Sequence, residues 1–271
     1  MRCKNKVLKL AFSGSKYRRI PDIYDLIKSK KYNRIVEVFG GSCCISNNML
    51  RDKVVNQAVA NDFDGYFEKF EENIIFKENL IKQLLQKGFK KSESMLSTEK
   101  QEYLKKLLSP IKEDKNLLAF LAKNFAHSAV RATETIDIKD FNYLRGELST
   151  RQERLYYEEL KNVQLYRLHY EDFISKYVQN DDKTTLVVLD PPYMNARQKQ
   201  YQNTTYFGIT ETLKLLNLMK DKRNDFLFFN MRKDDTTALL DLLNLKYTYQ
   251  TRLTSISKNN VREDFLAYIT F

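Results

Sequence analysis

The segment Leu186-Val187-Val188-Leu189-Asp190-Pro191-Pro192-Tyr193 decides how the rest of the chain is read. Its apolar run, with β-branched valines at the centre, predicts a strand buried on both faces of a covered parallel sheet. Pro191 and Pro192 end that strand, because neither donates an N–H and both fix φ. Asp190 is thereby delivered to the carboxyl end of a strand, the rim where open α/β sheets bind ligands. A carboxylate, two donor-free residues and an aromatic ring suit the binding of a planar exocyclic amine. Such an amine shares its lone pair with the ring and is a poor nucleophile. If its hydrogens are accepted by the Asp190 carboxylate and the Pro191 carbonyl oxygen, the lone pair is freed, and Tyr193 can stack on the base. A tight turn after a buried strand would carry the same residues, so the motif alone leaves both readings open.

Outward from this segment, Arg34-Ile35-Val36-Glu37-Val38-Phe39-Gly40-Gly41-Ser42 reads as a strand running into glycines that open a helix from about Cys44 to Leu50. Glycines let a backbone approach a ligand, and a helix N-terminus offers unsatisfied N–H groups. The stretch is neither a phosphate loop nor a complete dinucleotide fingerprint, which favours a ligand with a nucleoside end and an amino-acid end. Gln57 to Asp62 reads as a second strand ending in an acidic residue, where Rossmann-like folds hold ribose hydroxyls. Val163 to Phe173 is expected to be a third strand, ending at Asp172-Phe173 beside an adenine ring. Before all of these, Ser13-Gly14-Ser15-Lys16 offers close backbone approach and a cation that could meet a carboxylate. Further helix and strand alternation follows: a helix over 211–220, a buried strand over 226–229, a helix over 236–243 and closing strands over 247–254 and 263–271.

Between about Gly65 and Asn162 the pattern changes to helical apolar spacing with many lysines, stopped at Pro110. Arg131, Arg145, Arg151 and Arg154 lie there near Phe141, Asn142 and Tyr143, the side-chain types that meet phosphates and base edges. Over 271 residues, 46 Lys+Arg against 35 Asp+Glu give a formal net charge of +11, which suits a polyanionic partner. Three cysteines and two histidines make a disulfide framework or a His/Cys metal centre improbable. No apolar run approaches the roughly 20 residues needed to span a bilayer. The expectation is a soluble protein of a reducing cytosol, with no membrane partner and no metal.

The ordered motifs resemble the Dam-type, D12 class family of DNA adenine N6-methyltransferases over nearly the whole chain. Phe12, Gly14 and Lys16 stand in its N-terminal small-residue segment; Glu37, Phe39 and Gly41 in its acidic-x-Phe-x-Gly loop; Asp62 at its acidic second strand; Asp172 and Phe173 at its Asp-Phe site; and Asp190, Pro191, Pro192 and Tyr193 in its catalytic motif. Phe120 to Arg131, with Asn124, and Asn142 to Glu147, with Arg145, are similar to its recognition segment, and Ser255 to Arg262, with Asn259, to its C-terminal loop. The sequence departs from that pattern at Ser15, Val38 and Cys43.

The resemblance implies an α/β, Rossmann-like S-adenosylmethionine-dependent methyltransferase sheet with helices on both faces. It places the catalytic domain at 1–64 and 163–271, with a mainly helical target-recognition insertion at 65–162. It implies S-adenosyl-L-methionine as methyl donor and double-stranded DNA as partner. The expected activity is transfer to an adenine flipped out of that DNA, with Glu37 near the donor's amino group, Asp62 on its ribose, Asp172 and Phe173 on its adenine, and Phe12, Gly14, Lys16, Phe39 and Gly41 completing the donor site. Rival readings are an RNA or protein-amide methyltransferase and a catalytically silent DNA-binding protein of the same fold. Cytosine C5 chemistry is disfavoured because none of the cysteines is placed as a nucleophile.

Overall fold

The computed structural model describes residues 7–10, 14–90, 95–126, 136–144, 148–194, 207–257 and 260–271, with backbone alone at 123, 254–257 and 260–262. The chain divides into two compact units. One takes the described residues within Met1–Phe63, Glu159–Gln198 and Thr205–Phe271, and the other those within Asp64–Glu158.

The first unit is built on one seven-stranded sheet. Its strands are β1 (Arg34–Glu37), β2 (Gln57–Asn61), β3 (Gln164–Tyr166), β4 (Thr185–Leu189), β5 (Phe226–Met231), β6 (Tyr247–Ser257) and β7 (Asn260–Ile269). They lie in the order β3-β2-β1-β4-β5-β7-β6, parallel from β3 to β5, with β7 antiparallel to both of its neighbours. The chain steps outward from β1 to β2 and β3, then returns to place β4 on the other side of β1. That reversal makes a switch point between β1 and β4, where open α/β sheets bind ligands at the strands' carboxyl ends.

Helices cover both faces for a reason of handedness. The crossover from β1 through α2 (Cys44–Arg51) to β2 travels one way along the sheet, and that from β4 through α8 (Ile209–Lys222) to β5 travels the other. Right-handed crossovers of opposite direction put their helices on opposite faces. One core layer gathers Val36, Val187, Leu189, Phe226 and Phe228 from the strands. Onto them pack Phe173 and Ile174 of α7 (Tyr170–Tyr177), Leu215 and Leu216 of α8, and Leu239 and Leu240 of α9 (Lys233–Leu242). The alternate residues Ile35, Leu186, Val188 and Leu227 are equally buried, on the face where α2 packs against β1 and β2. On that face too, α1 (Ile20–Ile27) lies against β6. Every residue of β4 is buried, as its unbroken apolar run predicts.

The strand expected over Val163 to Phe173 forms only in its first part, and its end is a helix. The sheet strand β3 stops at Tyr166, and Tyr170–Tyr177 is helical, with Asp172 exposed in its first turn rather than at a strand end. Tyr170, Phe173, Ile174 and Tyr177 recur at helical spacing, and Glu171 and Asp172 favour a helix N-terminus. The alternation of apolar and polar residues from Val163 hid that change of period. The closing strands β6 and β7 run longer than expected and form a hairpin that pairs as far as Ser257 and Asn260.

The second unit holds α3 (Phe70–Gln86), α4 (Thr98–Leu108), α5 (Lys115–Phe125) and most of α6 (Arg151–Leu160). Ser97 and Asp114 cap α4 and α5 by accepting the N–H groups of Lys100 and Leu117. Inside the unit the Lys77 ammonium, 1% exposed, meets Glu153 Oε1 at 2.5 Å and Asn124 Oδ1 at 2.8 Å, so α3, α5 and α6 share one buried charge pair.

Candidate active site

Glu37 ends β1 and Asp190 follows β4, so two carboxylates stand at the carboxyl ends of adjacent parallel strands. The pairing is fixed by register: Glu37 lies opposite Val188, and the Val38 N–H donates to the Val188 carbonyl oxygen at 3.0 Å. These carboxylates have opposite environments. Glu37 is 3% exposed and accepts the Ser46 N–H at 2.9 Å in the first turn of α2. Among the described residues it has no cationic partner, and burial, partly offset by Ser46, pushes its carboxyl up to about 7. Asp190 instead pairs with the Lys16 ammonium, with side-chain exposures of 18% and 14%. Burial alone would pull Lys16 down, but Asp190 and the Tyr193 hydroxyl together carry it above the usual lysine range. Burial drives Asp190 upward and Lys16 offsets only part of it, so the carboxyl stays above its ordinary value and the ammonium is the main group favouring its charged form.

The glycine loop is built for close approach of backbone to backbone. A Cβ on Gly40 would stand 2.8 Å from the Asn61 carbonyl oxygen, which accepts the Gly40 N–H at 3.0 Å. Gly41 follows at φ +49°, and Cys43 adopts φ +51°, a left-handed conformation that favours glycine. The departures from the family pattern therefore differ in consequence. Cys43 carries real backbone strain, whereas Ser15 lies outside the left-handed region and the turn's positive φ falls on Gly14, at +78°. Both Cys43 and Cys44 are buried, and burial holds their thiols up, Cys44 at about 12, so neither is a ready nucleophile.

Asn61, which the sequence reading passed over in favour of Asp62, braces the rim. Its amide donates to the carbonyl oxygens of Val38 at 3.2 Å and Leu168 at 2.9 Å, and its own oxygen accepts the Leu168 N–H at 3.0 Å. The ends of β1, β2 and β3 are thus tied by one side chain. Asp62 is itself buried, its backbone N–H donating to the Tyr166 carbonyl oxygen at 2.8 Å. Phe39 stacks on Tyr170 with centroids 5.7 Å apart, and both rings meet the Phe207 edge at 5.7 Å. Phe173, expected at the donor's adenine, is wholly buried in the core instead. Tyr170 and Phe207 belong to the same buried core, with Phe39 packed against it just past β1, and the apolar period through 170–177 was the available signal for Tyr170.

The sequence matches the D12 class N6 adenine-specific DNA methyltransferase family over residues 12–262. The chain belongs to that family. This methyltransferase is also 30% identical over 250 residues to a Haemophilus influenzae protein provisionally named a methyltransferase, covering 86% of this chain and 80% of that one. Among solved structures, it resembles an rRNA methylase from Streptococcus thermophilus at 8% identity and a TM-score of 0.37, covering 94% of this chain and 98% of that one. It resembles the delta-N METTL16 methyltransferase domain at 11% identity and a TM-score of 0.39, covering 94% and 82%. The methyltransferase is an S-adenosylmethionine-dependent enzyme acting on adenine N6 of DNA.

Its residues fit the methyl donor. A buried carboxylate without a cation among the described residues, at a helix N-terminus beside a glycine loop, suits the ammonium of an amino-acid end. No helix among the described residues is long and apolar enough to cross a membrane, and they contain no cluster of three or more potential metal-ligating side chains.

The residues expected to touch DNA are less uniform. Arg151 is exposed at the start of α6, and Asn142 donates to the Lys139 carbonyl oxygen at 2.9 Å. Asn124 is half-buried on Lys77. Arg154 turns its guanidinium fork to Glu78, at 2.5 and 2.6 Å, and with Thr150 holds that carboxyl at about 2. A phosphate would have to compete with Glu78 for it. Phe12, Arg131, Arg145 and Asn259 lie outside the described residues, as does the Arg262 side chain.

Proposed function

We propose that methyl transfer takes place at the rim between β1 and β4, on an adenine flipped out of double-stranded DNA. Asp190 and the Pro191 carbonyl oxygen accept the N6 hydrogens, Tyr193 stacks on the base, Glu37 receives the donor's ammonium and Asp62 its ribose. The observation that carries this assignment is the pair of unlike carboxylates on neighbouring strand ends, one already holding a cation and one without a cation among the described residues.

Bound S-adenosylmethionine supplies a methyl group already activated by its sulfonium, so the chain's residues have mainly to orient and to manage one proton. Asp190 draws on an N6–H and thereby localises the nitrogen lone pair toward the methyl carbon. Transfer would leave N6 cationic, the displaced thioether keeping the electrons of the broken C–S bond. The carboxylate of Asp190 then takes the surplus N6 proton to solvent. Pro191 and Pro192, lacking N–H groups, present only acceptors to the amine.

Target recognition is assigned to the helical unit, through Asn124, Asn142 and Arg151, with Arg131 and Arg145 added from the sequence. A cytoplasmic site of action in a bacterial or phage-infected cell accords with DNA as substrate. The test is transfer of label from S-adenosylmethionine to unmethylated genomic DNA, with nucleoside analysis and mapping of modified positions. N6-methyladenine at one short motif is the expected result. Label confined to RNA or to a protein amide, with none in DNA, would sink the reading. Absence of donor binding would favour a silent DNA-binding protein.

A further inference from the structure

We propose that Lys16 is the resting occupant of the amine seat, and that it competes with the target adenine for Asp190. The proposal rests on the site reading above. The family resemblance expects Lys16 at the methyl donor, but its ammonium lies on the acceptor side. It is held by the Asp190 carboxylate through Oδ2 and by the Gly14 carbonyl oxygen at 2.7 Å. It stands 5.4 Å from the ring centroids of both Tyr193 and Phe229.

An ammonium is a compact cluster of N–H donors, as an exocyclic amine is a planar one. The Asp190 oxygen that the base requires is therefore engaged by a side chain that also meets the Tyr193 hydroxyl and stands near its ring. The base and the lysine cannot use Oδ2 together. With Lys16 seated, Asp190 has a charge partner despite low exposure; with the base seated, the lysine has moved aside. The exchange asks only the Lys16 side chain to move, since its backbone is held by its carbonyl oxygen accepting the N–H of the buried Arg19 at 2.7 Å. Lys16 is thus a positioning residue: it keeps the empty site charged and closed, and gives it up to the substrate.

Two measurements test this, one independent of catalysis. In the resting protein, amine acetylation of Lys16, followed by mass spectrometry, should run about tenfold slower than that of the exposed Lys139, and Asp190→Asn should abolish most of the difference. In kinetics on genomic DNA, Lys16→Met should lower KM for DNA by about threefold or more and leave S-adenosylmethionine affinity by calorimetry within about twofold, while Lys16→Arg retains the wild-type KM.

Rapid labelling of Lys16 in the wild type would overturn the seat. A Lys16→Met variant that loses donor affinity about tenfold with KM for DNA unchanged would make Lys16 a donor ligand instead. A lowered thermal midpoint with KM unchanged or raised would reduce it to a structural residue. Slow, Asp190-dependent labelling in a wild-type protein that methylates no DNA would keep the ion pair, but would overturn the site reading and the competition built on it.

Discussion

Lys16 and Lys77 are made from the same parts and set to different work. Each ammonium pairs with a carboxylate and lies near an aromatic ring, Tyr193 and Phe229 for Lys16 and Phe120 for Lys77. Lys77 is 1% exposed and fastened by both Glu153 and Asn124, on two different helices. Lys16 sits at a strand-end rim, 14% exposed, held by Asp190 and the Tyr193 hydroxyl from one strand end and by a carbonyl oxygen two residues back in its own chain. Charge and ring do not define a site by themselves. What separates a fixture from an exchangeable partner is how many independent elements hold the cation and whether a ligand can reach the carboxylate.

The comparison can be broken most severely at Asp190. Asp190→Ala should reduce methyl transfer by about a thousandfold while donor affinity changes by no more than about threefold, because only the acceptor side loses its anchor. Residual transfer near the wild-type rate would remove Asp190 from the chemistry.

Lys77→Met probes the other lysine through stability. Glu153 is left without its cation in a site with 16% side-chain exposure, and the unfolding free energy should fall by about 3 kcal/mol. Adding Glu153→Gln should recover roughly half of that by removing the orphaned charge. A loss of donor affinity without loss of stability would contradict the fixture reading.

Glu37 sharpens the contrast from the side of a carboxylate with no cation among the described residues. Its carboxyl is pushed from 4.5 up to about 7, so between those values the unfolded chain has shed a proton that the folded chain keeps. Stability from this group is full below about 4.5 and falls as pH rises through about 7. Glu37→Gln should therefore be more stable than wild type at pH 8 without donor, by up to about 3 kcal/mol, and should lose that advantage at low pH. Donor binding near pH 7 should release a proton from the wild type, because an ammonium beside Glu37 favours the carboxylate. Calorimetry in buffers of different ionisation enthalpy reads that release, and Glu37→Gln should not show it. Equal proton release by both proteins would move the donor's ammonium elsewhere.

The smallest effect belongs to the exposed pair of Arg154 with Glu78. Arg154→Ala should move the thermal midpoint by no more than about 2 °C, and less at high salt. A larger, salt-insensitive shift would show that the forked pair is a second fixture like Lys77.

Much of this was legible from residue order. The run from Leu186 to Leu189 had to be a doubly buried strand, and the prolines after Asp190 had to stop it; Glu37 before Gly40 and Gly41 marked the other strand end. Local stereochemistry and apolar period suffice for such elements because they depend on near neighbours. Tertiary structure decided what depends on residues far apart. The period through Tyr170–Tyr177 became a helix, burying Phe173 and leaving Asp172 in solvent. Asn61 became the brace of three strand ends because Val38 and Leu168 came within hydrogen-bond reach. Lys16 met Asp190 across 174 residues of chain, and Arg154 was claimed by Glu78 across 76. Whether a charged side chain is a ligand, a fixture or a placeholder is set by the desolvation and the partners the folded chain gives it, and residue order alone carries neither.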